Sequence, residues 1–216
     1  MSSSVKTVIF DLDGTLYPMT KRFKPLFALF SFPHSLKLPK YMKLRDKYRG
    51  EEWSDAKELK ATIYRDVEEL LGVKSGEKWH DKVLYPAFFK AIKYSKPRSR
   101  LKELITTLKE RGYQLVVLSD FGCVEERVEA LGLDISLFSH LLSSEDLGGF
   151  KPNRRPFEEL LKITGAEAES TLMVGDRDDT DGAGARKMGI EFIEVPGKSS
   201  IGWNDVVERL LKLPTL

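Results

Sequence analysis

The chain has 216 residues, with 35 Lys or Arg, 33 Asp or Glu and a formal net charge of +2 at pH 7. This length supports one sizeable core, alone or with a small accessory domain. The small net charge argues against nucleic acid or a membrane as the main partner, and the single cysteine, Cys123, excludes an internal disulfide. We therefore expect a soluble protein, and the cysteine usage fits a cytoplasmic location.

The first predicted element is a strand at residues 5–10, an apolar run rich in β-branched side chains that ends directly before Asp11. Over residues 18–97 the pattern is helical instead, as the spacing of apolar residues at 57–71 illustrates. The longest apolar stretch there, 25–33, is far shorter than the roughly 20 residues that a membrane helix needs. We therefore predict a small helical domain over this range, inserted after the first strand.

After Pro97 the pattern alternates between short apolar strands and amphipathic helices. Alternation of this kind is typical of a parallel sheet with helices on both faces. We predict an α/β, Rossmann-like core built from residues 1–17 and 98–216. Its further strands are predicted at 115–118, 140–143, 171–174 and 192–195, and its helices at 101–111, 124–131, 157–163, 183–188 and 206–211.

The charge of the chain divides near the same boundaries. Residues 17–98 carry 19 Lys or Arg and 10 Asp or Glu, a balance of +9 that leaves −7 for the rest of the chain. A basic insertion above an acidic core would attract an anionic substrate. A solvated helix surface explains the same lysines equally well, and both interpretations stay open.

Three of the predicted strands end in polar residues. The first is followed by Asp-Leu-Asp-Gly-Thr at 11–15, the second by Ser119 and Asp120, and the fourth by an acidic stretch at 175–181. Ligands of open α/β sheets bind outside the carboxyl ends of the strands. If these strands are adjacent, we expect their polar ends to form one crevice.

The number of carboxylates in this crevice predicts a metal ion. Like charges gathered in one place resist ionisation unless a cation offsets them. Mg²⁺ suits a site of this kind, because it takes one or two carboxylates, keeps several waters and binds phosphate. An acidic turn that faces water is the alternative, and it fits Asp178 better than Asp176, which directly follows an apolar strand.

Asp11 and Asp13 are two residues apart and point the same way in an extended chain. One carboxylate could attack phosphorus while the other transfers a proton to the leaving oxygen. Gly14 would let the turn approach a phosphate closely. Lys151 could stabilise the charge on the transferring group, although a solvated side chain is the ordinary interpretation of a lone lysine.

Together these residues resemble the haloacid dehalogenase superfamily, in its phosphatase branch with a type 1 helical cap. The four motifs of that family appear in order at 8–16, 117–119, 151–152 and 174–181. The resemblance implies that Asp11 is the nucleophile and Asp13 the general acid and base. It further implies that Mg²⁺ is bound by Asp11, Asp176 and the backbone carbonyl of Asp13, that Ser119 binds phosphate and that Asp181 supports the site. The other candidate phosphate-binding residues are Gly14, Thr15, Asp120 and Lys151.

The roles of Asp120 and of the phenylalanines in the helical insertion stay open. Asp120 stands where many members of the family have Asn, so it either contacts phosphate, turns away, or contacts the helical insertion. The phenylalanines of the insertion are interpreted as its core, although some could line a substrate pocket; they are Phe23, Phe27, Phe30, Phe88 and Phe89.

The predicted activity is Mg²⁺-dependent hydrolysis of a small phosphorylated metabolite through an aspartyl-phosphate on Asp11. A phosphotransferase or phosphomutase would use the same intermediate, and a phosphometabolite-binding protein could keep the fold without turnover. Carbon–halogen hydrolysis fits less well, because such enzymes of the family do not need a second aspartate or Mg²⁺ and this chain keeps both Asp13 and Asp176. The sequence identifies neither the substrate nor the oligomeric state.

Overall fold

The computed structural model describes residues 5–195 and 200–216. Within this part, five strands form one sheet in the order β3-β2-β1-β4-β5, and every neighbouring pair is parallel. This confirms the predicted parallel α/β core. The strands are β1 (Thr7–Phe10), β2 (Gln114–Ser119), β3 (His140–Ser143), β4 (Thr171–Gly175) and β5 (Glu191–Glu194).

Both faces of the sheet are covered by helices. This explains why the sequences of its strands are nearly continuous apolar runs. Successive residues of β1 point to opposite faces, so that Val8 and Phe10 belong to one apolar cluster and Ile9 to the other. The helices α6 (Leu101–Glu110), α7 (Val124–Ala130) and α10 (Ser200–Leu211) contribute to the first cluster, and α8 (Arg154–Thr164) and α9 (Ala183–Lys187) to the second.

The chain between β1 and α6 is helical, as predicted, and we call residues 18–97 the helical segment. In the helix Ala56–Leu71 the Asp55 side chain accepts the backbone N–H of Glu58, and the helix is followed by Gly72, which has a left-handed φ of 60°. Five short 3₁₀ and π turns lie between the regular elements of the described chain. The α-helices of the segment are α1 (Phe23–Phe30), α2 (Leu38–Lys47), α3 (Ala56–Leu71), α4 (Gly76–Trp79) and α5 (Tyr85–Lys93).

Some predicted boundaries were wrong. The first strand begins at Thr7 rather than at residue 5. Helix α8 begins at Arg154, earlier than predicted, because the Asn153 side chain accepts the N–H of Arg155 and caps the helix. Helix α10 begins at Ser200, six residues before the predicted start.

A buried arginine joins the helical segment to the core. Arg45, on α2, donates to Glu145 Oε2 at 2.8 Å and to the backbone carbonyl of Asp120 at 2.6 Å. Its guanidinium carbon lies 4.1 Å from the ring centroid of Phe121 and 4.3 Å from that of Phe150. Because a charge is costly to bury without partners, this set of contacts holds α2 against the loops that follow β2 and β3.

No helix within residues 5–195 and 200–216 has the length and apolar content to cross a membrane.

Candidate active site

The carboxyl ends of β1, β2 and β4 are adjacent, because β1 lies between the other two strands. The polar residues that follow them therefore meet, as predicted. Carboxylate oxygens of Asp11, Asp176 and Asp181 lie within 4.8 Å of one another.

The Asp11 carboxylate is buried and held at both oxygens. Lys151 Nζ lies 2.8 Å from Oδ1, and Thr15 Oγ1 donates to Oδ2 at 2.9 Å. Burial raises the pKa of Asp11; the nearby Asp181 and Asp13 charges add to the rise, while Lys151 opposes it. Thr15 thus orients Asp11 through its hydroxyl, and its predicted contact with phosphate stays a prediction.

Lys151 is 1% exposed, so the ordinary interpretation of a solvated lysine is wrong. Its Nζ also lies 2.7 Å from Asp181 Oδ1 and donates to the Leu118 carbonyl at 3.0 Å. Burial alone would lower the pKa of Lys151, but Asp11 and Asp181 raise it above its usual range. The side chain is therefore a fixed positive charge among three carboxylates.

The three-carboxylate group fits a hard divalent cation. Three carboxylates lie close together beside the single cation Lys151, and burial together with the Asp11 charge raises the pKa of Asp176 to about 7. The donors of this group are all oxygens, which suit Mg²⁺. Gly14, at a φ of 99°, keeps the space open, because a Cβ there would overlap the Asp176 carboxylate. Asp178, by contrast, is exposed and pairs with Arg186 at 2.8 Å, as the acidic-turn interpretation predicted.

The Asp13 carboxylate points to different partners. Its Oδ1 accepts the hydroxyl of Tyr17, and its Oδ2 accepts the hydroxyl of Ser119 at 3.1 Å and pairs with Arg127. The side chain of Asp13 is thus not a member of the three-carboxylate group, and a metal contact through its backbone carbonyl stays a prediction. Ser119, a predicted phosphate ligand, lies beside Asp13 and is fully buried.

Arg127 is a component of the site that our sequence analysis missed. Its guanidinium is fully buried, donates to Ser119 Oγ at 2.9 Å and to the Phe121 carbonyl at 3.0 Å, and pairs with Asp13. One signal was available in the sequence. Arg127 shares a face of α7 with the buried Val124 and Val128, and a charged residue on an apolar helix face needs a buried partner.

Asp120 contacts the helical segment, which is one of the interpretations left open above. Its Oδ1 accepts the backbone N–H of Lys151 at 3.1 Å, and its Oδ2 pairs with Arg49, which follows α2. Although burial alone would raise the pKa of Asp120, the Lys151 and Arg49 charges lower it. Arg49 also donates to the Lys151 carbonyl at 2.7 Å, so the pair ties the segment to the loop that carries Lys151.

Residues 5–189 match the family model of the haloacid dehalogenase-like hydrolases. The chain belongs to this family, and the prediction of a hydrolytic enzyme is confirmed.

Relatives and solved structures agree with this assignment. The chain is 26% identical to a glyceraldehyde 3-phosphate phosphatase of Methanothermobacter thermautotrophicus, over 95% of this chain and 92% of the relative. It is 28% identical to a phosphoglycolate phosphatase of Aquifex aeolicus, over 84% of this chain and 81% of the relative. The crystal structure of a HAD phosphatase from Thermococcus onnurineus shares the fold with a TM-score of 0.66 at 16% identity, covering 98% of this chain and all of that one.

Proposed function

We propose that this protein is a Mg²⁺-dependent phosphatase that hydrolyses a small-molecule phosphate monoester through a phosphoryl group carried by Asp11. The observation that carries the proposal is the Asp11 carboxylate, held between Lys151 at 2.8 Å and Thr15 at 2.9 Å, with two further carboxylates within 4.8 Å. The phosphatase names of the relatives support the same activity.

In the first step an oxygen of Asp11 attacks phosphorus and forms a new P–O bond. The ester P–O bond breaks, and the leaving oxygen keeps the bonding electrons and takes a proton from Asp13. Lys151 offsets part of the charge that collects around phosphorus. Because Lys151 and Thr15 already fix the carboxylate, little reorganisation is needed at the moment of attack.

In the second step Asp13 takes a proton from a water molecule, whose oxygen attacks phosphorus. The bond between phosphorus and Asp11 breaks, and inorganic phosphate leaves with the regenerated Asp11 carboxylate. Tyr17, Ser119 and Arg127 hold the Asp13 carboxylate in one orientation for both proton transfers.

Mg²⁺ bound by Asp11, Asp176 and the Asp13 carbonyl would neutralise charge on the phosphoryl oxygens and so let a dianion approach this acidic crevice. Asp181 would hold Lys151 in place beside it. We further propose that the helical segment acts as the cap of the site and excludes water from the reacting atoms during the first step.

A phosphate-release screen tests the proposal, over phosphoglycolate, glyceraldehyde 3-phosphate, sugar phosphates, nucleotides and simple alkyl phosphates, each with Mg²⁺ and with a chelator. We expect Mg²⁺-dependent release of one phosphate per ester consumed. Asp11→Asn should abolish it, whereas Asp178→Asn, which changes an exposed carboxylate of the same region, should not.

Activity that survives in Asp11→Asn would overturn the covalent mechanism. Consumption of ester without matching phosphate would favour a phosphotransferase. Failure to hydrolyse any ester of the panel would favour a binding protein.

A further inference from the structure

An apolar cavity of about 610 Å³ opens beside Asp13. Its volume lies in the range of about 300–1,000 Å³ that small-molecule sites occupy. Among the described residues that line it, Asp13, Lys24 and Ser35 are the only ones with a polar side chain, and Lys24 is exposed to solvent. The apolar wall is formed chiefly by Phe23, Phe27, Leu38, Met42, Phe88 and Phe121.

The aromatic wall of this cavity is packed and not a loose gap between elements. Phe88 of α5 meets both Phe23 and Phe27 of α1 edge to face, at centroid distances of 5.5 and 5.1 Å. The ring centroids of Tyr17 and Phe23 are 6.0 Å apart, and the Tyr17 hydroxyl donates a hydrogen bond to Asp13. The wall is therefore continuous with the residues that orient Asp13.

The position of Asp13 determines which part of a substrate enters the cavity. In the proposed reaction the leaving oxygen takes its proton from Asp13, so the carbon that bears this oxygen lies where the cavity begins. A polar alcohol would lose water there and find few partners, whereas an apolar one would gain by leaving water.

We propose that the substrate is a phosphate monoester whose alcohol portion has an apolar group, an alkyl chain or a ring, that fills this cavity. The inference rests on the proposed function, since it uses Asp13 as the proton donor to the leaving oxygen. It separates this chain from the relatives named above, whose names specify short polar phosphate esters.

A homologous series of methyl, propyl and hexyl phosphate tests the proposal, because lengthening an n-alkyl chain scarcely changes the basicity of the leaving oxygen. We expect kcat/KM to rise about two- to fourfold per methylene, and so about 30-fold or more from methyl to hexyl phosphate. Phosphoglycolate and glyceraldehyde 3-phosphate should be poorer substrates than hexyl phosphate.

A flat or falling series would overturn this inference while Mg²⁺-dependent hydrolysis of the short esters still upheld the proposed function. Absence of hydrolysis of every ester would overturn both.

A matched pair of variants locates the effect. Ala28 lines the cavity, and its neighbour Leu29 is 66% exposed and does not line it. We compare the kcat/KM for hexyl phosphate with that for methyl phosphate and take their ratio. Ala28→Trp should lower this ratio at least tenfold by filling the cavity, whereas Leu29→Trp should leave the ratio unchanged. Equal ratios in the two variants would contradict the assignment of this cavity.

Binding to the unmodified protein gives a second measurement that does not depend on how Ala28→Trp folds. Hexylphosphonate and methylphosphonate cannot be hydrolysed, and calorimetry in the presence of Mg²⁺ should show about 30-fold tighter binding of the hexyl compound. Equal affinities would overturn the proposal.

Discussion

Asp13 separates two regions of the site that have opposite chemistry. On one side lie the carboxylates of Asp11, Asp176 and Asp181, with Lys151 paired to the first and the third. On the other side lies an apolar cavity built from the helical segment and Phe121. We propose that the charged region determines the reaction and that the apolar region determines which ester is brought to it.

The two regions also differ in how they are held. The charges depend on mutual compensation, because each would be costly to bury alone. The cavity wall depends on packing of rings from α1 and α5. Changes in the charged region should therefore affect turnover of every ester, and changes in the cavity should affect the choice among esters.

Lys151→Met should have the largest effect among the following changes, because it leaves Asp11 and Asp181 buried without their cation. We expect kcat to fall about 10²- to 10³-fold for long and short esters alike. The free energy of unfolding at pH 7 should fall by about 3–5 kcal/mol, as measured by denaturant titration. Lys162→Met, which removes an exposed lysine paired with Glu159, is the control.

Equal kcat in Lys151→Met and Lys162→Met would show that the buried lysine has no part in the reaction.

Arg127→Lys should have a smaller effect that is still confined to turnover. A lysine keeps the charge beside Asp13 but loses the planar fork that also reaches Ser119. We expect steady-state kinetics to show a fall in kcat of about 10- to 100-fold with little change in KM, because Arg127 is fully buried and pairs with Asp13, the proton donor of the proposed reaction. The control is Arg186→Lys, which changes an exposed ion pair with Asp178 and should leave kcat and KM unchanged.

A raised KM with unchanged kcat in Arg127→Lys would instead assign Arg127 to substrate binding.

The smallest expected effect is a pH-dependent response of stability to Mg²⁺. The pKa of Asp176 is raised from 3.8 to about 7. Between these two pH values the folded metal-free protein therefore keeps a proton that the unfolded chain releases. This group therefore makes the metal-free protein less stable as pH rises from about 4 to 7. Because Mg²⁺ competes with that proton, it should raise Tm by several degrees at pH 8 and by less at pH 6.

Thermal unfolding with and without Mg²⁺ measures this difference, and an equal rise at both pH values would contradict a metal held by Asp176.

Much of the charged region could be predicted from the sequence, for a physical reason. Parallel strands of one sheet end at the same edge, so polar residues directly after apolar runs are brought together whatever the loops do. Asp11, Ser119 and Asp176 follow this rule. Lys151 does not follow a strand, and only its place in the order of family motifs identified it.

The apolar region could not be predicted in the same way. The sequence does identify Phe23, Phe27 and Phe88 as apolar residues of helices, but their burial is the same whether they fill a core or line a cavity. Which of the two occurs depends on how α1, α2 and α5 pack together, and no local pattern determines that arrangement. Arg127 was missed for a related reason, since its partner Asp13 is distant in the chain.

The measurement that tests the central claim most directly is detection of the phosphoryl group on Asp11. Asp13→Asn removes the base of the second step, and acetyl phosphate has a leaving group that scarcely needs an acid in the first. Acid quenching of this variant with Mg²⁺ and acetyl phosphate, followed by peptide mass spectrometry, should show one phosphoryl group on Asp11 and none in Asp11→Asn. Absence of the phosphorylated peptide from Asp13→Asn, while the unmodified enzyme hydrolyses acetyl phosphate, would contradict the account.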